Sequence, residues 1–215
     1  MSLYSDRLAA LRAQLRAEHL DGFVIPLTDA HMSEYVGEDA RRLAWLTGFQ
    51  GSAGSAAVLA DRAAIFVDGR YTLQVREQVD PADWEYCKVP DTGIPQWLGT
   101  HAPADGRIGY DPWLHTRAWV AETAAALAER DADLVPVANN PVDTIWSDHP
   151  APADARIQLY PDALAGKSSA EKRAAIGEWL TTRKADAVVL SALDSIAWAF
   201  NIRGDDVLHT PVALA

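Results

Sequence analysis

Arg70 is the residue whose type and setting most directly suggest chemistry. It closes the tripeptide Asp68-Gly69-Arg70, just after the apolar run Ala63 to Val67 and just before Tyr71, Val75 and Val79, whose four-residue spacing predicts a helix. An arginine at a helix entrance faces the positive end of the helix dipole, at a cost of roughly 0.3 to 1 kcal/mol. A carboxylate is therefore expected to offset it, from a neighbouring strand or from a ligand. The planar fork of the guanidinium suits bidentate recognition of a carboxylate or carbonyl. The tripeptide recurs as Asp105-Gly106-Arg107 ahead of another expected strand, so on the residues alone a turn with a surface salt bridge stands ahead of a ligand contact.

Other chemistry-bearing groups are weaker. Asp29, His31 and Glu34 fall within six residues, but without a second cluster to complete a shell they read as a hydrogen-bonded loop before a metal site. Asp205, Asp206 and His209 have the same weakness. Gly48-Phe49-Gln50-Gly51-Ser52-Ala53-Gly54 precedes an expected hairpin and not a helix, so a sharp turn or close backbone approach is expected there. Cys87 is the single cysteine, which rules out an internal disulfide and any cysteine-based metal framework; beside Tyr86 and Val89 it reads as a small core residue. The sequence has no Gly-x-x-x-x-Gly-Lys phosphate loop, His-Glu-x-x-His helix or Gly-x-Ser-x-Gly elbow.

These residues need a scaffold, and the composition provides one. The 215 residues are 49% hydrophobic and 23% charged, which is ordinary globular usage. A net charge of −11 argues against a nucleic-acid surface. The nearly apolar stretches at 121–128 and 185–193 fall far short of the roughly 18 residues a membrane span needs. The N-terminus has no signal-peptide pattern, so a cytoplasmic protein without a membrane partner is expected.

Leu8, Leu11 and Leu15 mark one helix face, followed by Asp21-Gly22 and a buried strand at Phe23 to Ile25. Ser55 to Leu59 and Ala63 to Val67 predict an antiparallel hairpin. Further strands are expected at Trp84 to Val89 and Ile108 to Tyr110, joined by a turn-rich connection. Thr116 caps a helix running to Arg130, and Leu134 to Val137 closes an edge where proline is tolerated. The fold class is mixed-sheet α/β. Residues 1–138 are assigned to a first domain and the proline-rich residues 139–163 to a linker; residues 164–215 are assigned to a second domain, truncated. Ser168 and Glu171 have capping-box spacing at its first helix.

The second half repeats the first. Leu15 and Phe23-Val24-Ile25 align at an offset of 165 with Leu180 and Val188-Val189-Leu190, and Ala44-Trp45 aligns at 153 with Ala197-Trp198. Ser55 to Ala60 would then match Pro211 to Ala215, leaving the second copy without the rest of its sheet.

A family pattern emerges from these pieces. Asp29-Ala30-His31, Ser33-Glu34-Tyr35, Thr47-Gly48-Phe49, Gly51-Ser52-Ala53-Gly54 and Asp68-Gly69-Arg70-Tyr71 resemble the first domain of the cytosolic three-domain Xaa-Pro aminopeptidases. Val142-Asp143, Ile145-Trp146, Ala192-Leu193-Asp194, Ile196-Ala197-Trp198 and Phe200-Asn201-Ile202-Arg203-Gly204 resemble that family's inter-domain segment and second domain. The resemblance implies two domains of the creatinase N-terminal, ribonuclease H-like fold. It also implies a third, catalytic pita-bread domain with two divalent ions, usually manganese, held by two Asp, one His and two Glu. That domain lies outside these 215 residues, so no catalytic or metal-binding residue is assigned here. The implied reaction is hydrolysis before a penultimate proline by a metal-bridging water, in an enzyme that is often a homodimer. Arg70 matches the family's substrate-contacting arginine. Creatinase and prolidase share the fold in a two-domain layout, which the repeat disfavours. The alternative is a stand-alone peptide-binding or dimerisation module.

Overall fold

In a computed structural model, which describes residues 2–214, the chain divides into two units, Met1–Glu34 with Asp39–Pro150, and Tyr35–Glu38 with Ala151–Ala215. The first contains α1 (Leu3–Ala17), β1 (Gly22–Pro26), α2 (Arg42–Thr47), β2 (Ser55–Leu59), β3 (Ala63–Val67), α3 (Gln74–Gln78), β4 (Glu85–Lys88), α4 (Ile94–His101), β5 (Arg107–Tyr110), α5 (Arg117–Ala128), β6 (Asp133–Pro136) and α6 (Pro141–Ile145). The six strands form one mixed sheet in the order β4-β3-β2-β1-β5-β6. β2 is antiparallel to β1 and β3, while the other neighbours are parallel.

Alternation along the strands explains the three layers. Phe23, Ile25, Ala56, Val58, Ile65 and Val67 face a core completed by Leu8, Leu11 and Leu15 of α1, Leu43 and Leu46 of α2 and Val142 of α6. Val24, Ala57, Leu59, Ala64 and Phe66 face the other way, onto Ile94, Trp97 and Leu98 of α4 and Leu127 of α5. Both faces are covered, so the central strands read as nearly continuous apolar runs. β6 lies at an edge, where Pro136 costs no ladder bond needed by another strand.

Two local expectations need correction. The connection between β4 and β5 does contain turns, at 89–92 and 104–105, but it also holds an unexpected helix: Gly93 precedes α4, Pro95 occupies its first turn, where its missing N–H is no loss, and the Gln96 side chain accepts from Gly93 N at 3.2 Å. The helix beyond Arg70 begins only at Gln74, so Arg70 lies in a turn ahead of it and the dipole penalty does not apply.

Cys87 is buried on β4. Burial pushes its thiol up to about 11, with the charge and hydrogen bond of Glu85 adding to the effect. At pH 7.5 its alkylation by iodoacetamide is expected to run at least about a hundredfold slower in the native protein than in urea. An equal rate in the two states would contradict the burial. An unfolded thiol releases its proton near 9.0 and the folded one near 11, so this group's stabilising contribution is intact below pH 9.0 and lost as pH climbs through 11.

The second unit contains β7 (Gln158–Leu159), α7 (Asp162–Ala165), α8 (Ser169–Arg183), α9 (Leu193–Phe200) and β8 (Ile202–Arg203). Ser168 and Glu171 form the expected capping box. The repeat is visible in the backbone. His19 and Lys184 leave their helices in the left-handed region (φ 56° and 55°), and Leu20 N and Ala185 N donate to Leu15 O and Leu180 O at 2.9 and 3.0 Å. Gly48 and Asn201 end α2 and α9 in the same conformation (φ 82° and 51°), each donating to the carbonyl four residues back, Ala44 or Ala197. Asn201 further accepts from the buried Lys172 ammonium at 2.5 Å and donates to Asp162 and Lys167 O. The expected strand at 186–190 needs correction as well: among the described residues it pairs with no strand, and Val189 is 90% exposed.

Candidate functional site

One rim of the first unit's sheet gathers the segments singled out by the sequence. β1 ends at Pro26, which pairs with Ser55 at the start of β2, and Ser55 also faces Phe66 near the end of β3. The loop that leaves β1 at 27–34 and the loops at 48–54 and 68–73 therefore share a rim. In an open α/β sheet, the carboxyl ends of the parallel strands are where ligands bind.

The glycine-rich loop fits the Arg70 turn closely. Thr47 Oγ1 donates to Leu43 O at 2.7 Å and accepts from Phe49 N at 3.1 Å, which turns the chain inward and buries Phe49. The Tyr71 ring meets Phe49 edge-on at 5.6 Å, and its hydroxyl bonds Ser52 Oγ at 2.8 Å. A Cβ at Gly51 would lie 2.3 Å from Phe49 Cζ and 2.8 Å from Tyr71 Cδ1, so only glycine lets this pair close.

Arg70 stands on this base. Its guanidinium lies 5.2 Å from the Tyr71 ring, and its side chain is 62% exposed. A carboxylate does meet it, from two residues upstream. Asp68 Oδ2 accepts from Nη2 at 2.8 Å and from Nε at 3.2 Å, and Oδ1 accepts from Arg70 N at 2.9 Å. The Arg70 hydrogen bond holds the Asp68 carboxyl below its usual range, and Asp68 raises Arg70 in turn, with a smaller contribution from Glu34. Tyr71 is lowered mainly by its bond to Ser52. The Asp-x-Arg spacing was a signal for this clasp, since an aspartate side chain commonly accepts from the backbone two residues on.

The other candidate residues do not gather into a ligand shell. Buried Asp29 accepts from His31 N at 2.9 Å and Ser33 N at 3.0 Å through Oδ1, organising its loop. Asp206 accepts from Ala155 N and Leu214 N, both at 2.9 Å, and Asp205 accepts from Gln158. His209 meets the Tyr35 ring edge-on. Among the described residues no group of three His, Cys, Asp or Glu could hold a metal ion. Arg107 has a structural role unlike that of Arg70: its N–H donates to Asp21 and its Nε to His19 O, tying β5 to the exit of α1. Farther along the rim, Asp111, Trp113, Asn140, Asp143 and Thr144 line an open cleft of about 420 Å³.

A six-stranded mixed sheet covered on both faces defines the first unit as a domain of α/β type. Residues 7–145 and 148–215 each match a Creatinase/Prolidase N-terminal domain model, and the chain belongs to that family. It is 42% identical over 209 residues to Xaa-Pro aminopeptidase 2 of Sus scrofa and 39% identical over 208 residues to that of Homo sapiens, in each case 95% of this chain and 31% of the relative. The X-prolyl aminopeptidase of Caenorhabditis elegans, described as a cytosolic enzyme with a di-nuclear active site, superposes with a TM-score of 0.90 at 30% identity over 99% of this chain and 37% of its own. The N-terminal domain of the cytoplasmic peptidase PepQ from Mycobacterium tuberculosis matches 65% of this chain with a TM-score of 0.50 at 26% identity. The chain thus spans about a third of the length of the curated relatives it matches.

Proposed function

We propose that this chain is the non-catalytic N-terminal region of a metal-dependent Xaa-Pro aminopeptidase that acts in the cytoplasm, as a homodimer, on peptides whose second residue is proline. The observation that carries the reading is the match of both units, over nearly the whole chain, to the C. elegans enzyme. In this reading the first unit shapes the substrate entrance and Arg70 reaches the bound peptide. Arg70 supports it by being exposed, held by Asp68 and backed by packed aromatic rings.

The donor set here does not fit a two-metal centre. Asp29 and Asp206 use carboxylate oxygens on backbone amides, and the exposed His31 and Glu34 have no converging partners. Two divalent ions, manganese by resemblance, would be held by residues outside these 215. Intact-mass measurement of the endogenous protein is expected to find a polypeptide about three times the 23.4 kDa of this chain, with spaced Asp, Asp, His, Glu and Glu in its remaining sequence. A mature protein ending at Ala215 would contradict the proposal.

A further inference from the structure

Asp68 occupies one particular edge of Arg70. A guanidinium presents two forks, a side edge made by Nε and Nη2 and an end edge made by Nη1 and Nη2. Asp68 Oδ2 spans the side edge, at 3.2 Å from Nε and 2.8 Å from Nη2. The end edge remains for a ligand: Nη1 donates to none of the described residues, and 62% of the side chain is exposed. The carboxylate also cancels the charge of the arginine, and Glu34 contributes a second negative charge nearby. Bound peptide would displace water from this group and strengthen each of these charges. An incoming carboxylate would meet the arginine together with two like charges, whereas a neutral carbonyl would meet hydrogen-bond donors alone.

We infer that Asp68 is a specificity-determining residue which makes Arg70 a reader of peptide carbonyls and disfavours ligands presenting a free carboxylate there. The inference rests on the proposed substrate contact of Arg70 and adds its chemical class: a peptide whose chain continues past the contact, or ends in an amide.

The test is a pair of substrates for the full-length protein, Arg-Pro and Arg-Pro-amide, which differ at the terminal group alone. Wild type is expected to have a higher kcat/KM on the amide. Asp68→Asn keeps an oxygen to accept from Arg70 N and removes the charge, so it is expected to lower the amide-to-acid ratio by roughly three- to tenfold. Asp68→Ala should shift it the same way. In an Arg70→Ala background, the change at position 68 should leave the ratio unaltered, which a general effect on folding would not produce. Melting temperatures of all variants are measured alongside. If Arg70→Ala lowers kcat/KM while both Asp68 variants keep the wild-type ratio, the inference fails and the Arg70 contact stands. If Arg70→Ala is kinetically silent, the contact fails and the inference with it.

Discussion

The amides of Val24 and Ala57 are expected to exchange with solvent at least about a thousandfold more slowly than those of Val188 and Val189 in the same chain. Val24 and Ala57 face each other across the middle of the sheet, fully buried beneath α4 and α5. Their exchange requires opening close to global unfolding, which for a domain of this size costs roughly 5 to 15 kcal/mol. Residues 186–190 occupy the matching place in the repeat, yet among the described residues they have no ladder partner, and Val188 and Val189 are exposed. Their amides should exchange at rates near those of an unstructured peptide. Hydrogen exchange followed by mass spectrometry reads both sets at once. Equal protection in a monomer would mean that 186–190 has found a strand partner, and this description of the second unit would be wrong.

Replacing Arg70 with alanine in the full-length protein is expected to lower kcat/KM for Xaa-Pro peptides by about 10- to 100-fold, the scale of one lost hydrogen bond to a charged donor. Arg70→Lys should not restore it. An ammonium cannot hold Asp68 on one edge and a peptide carbonyl on the other, because it lacks the rigid fork. A contact strengthened in the transition state lowers kcat together with kcat/KM, whereas uniform binding raises KM alone. Stability should change little, since the clasp is exposed and exposed ion pairs contribute weakly. Arg107→Ala is the control from the sister tripeptide: it loses the Nε bond to His19 O, keeps the backbone N–H bond to Asp21, and should leave kinetics near wild type. Unaltered kinetics in Arg70→Ala, or a loss matched by a fall in melting temperature, would return Arg70 to a purely structural role.

The hairpin was legible because its information is local. Ser55 to Leu59 and Ala63 to Val67 are short apolar runs separated by Ala60-Asp61-Arg62, and the observed β2 and β3 have those same bounds. The α1 face and the α8 start were legible for the same reason, through leucine spacing and a capping box. α4 was obscured by Gly93 and Pro95, residues of turns that also serve helix entrances. Its identity depends on Trp97, whose ring packs on Phe66 and whose Nε1 donates to Glu85 at 3.0 Å. The apolar run at 186–190 meets every local criterion for a strand, but a strand is completed by its neighbour, which local sequence does not supply. At the candidate site the sequence pointed to Arg70 and to its need for a carboxylate. That Asp68 takes the side edge and leaves the end edge open is a matter of side-chain geometry on a turn held by Phe49, Ser52 and Tyr71.

The central claim is that these residues position a substrate and do not cleave it. The direct measurement is proline-dependent release of arginine from Arg-Pro-Pro by the purified 215-residue chain, with manganese added, beside the full-length protein at equal molarity. The account predicts turnover by the full-length protein and none above the no-enzyme rate by the chain, because among the described residues no three His, Cys, Asp or Glu side chains converge to hold a metal ion. Chelator-sensitive release by the chain that co-purifies with it through successive columns would contradict the claim.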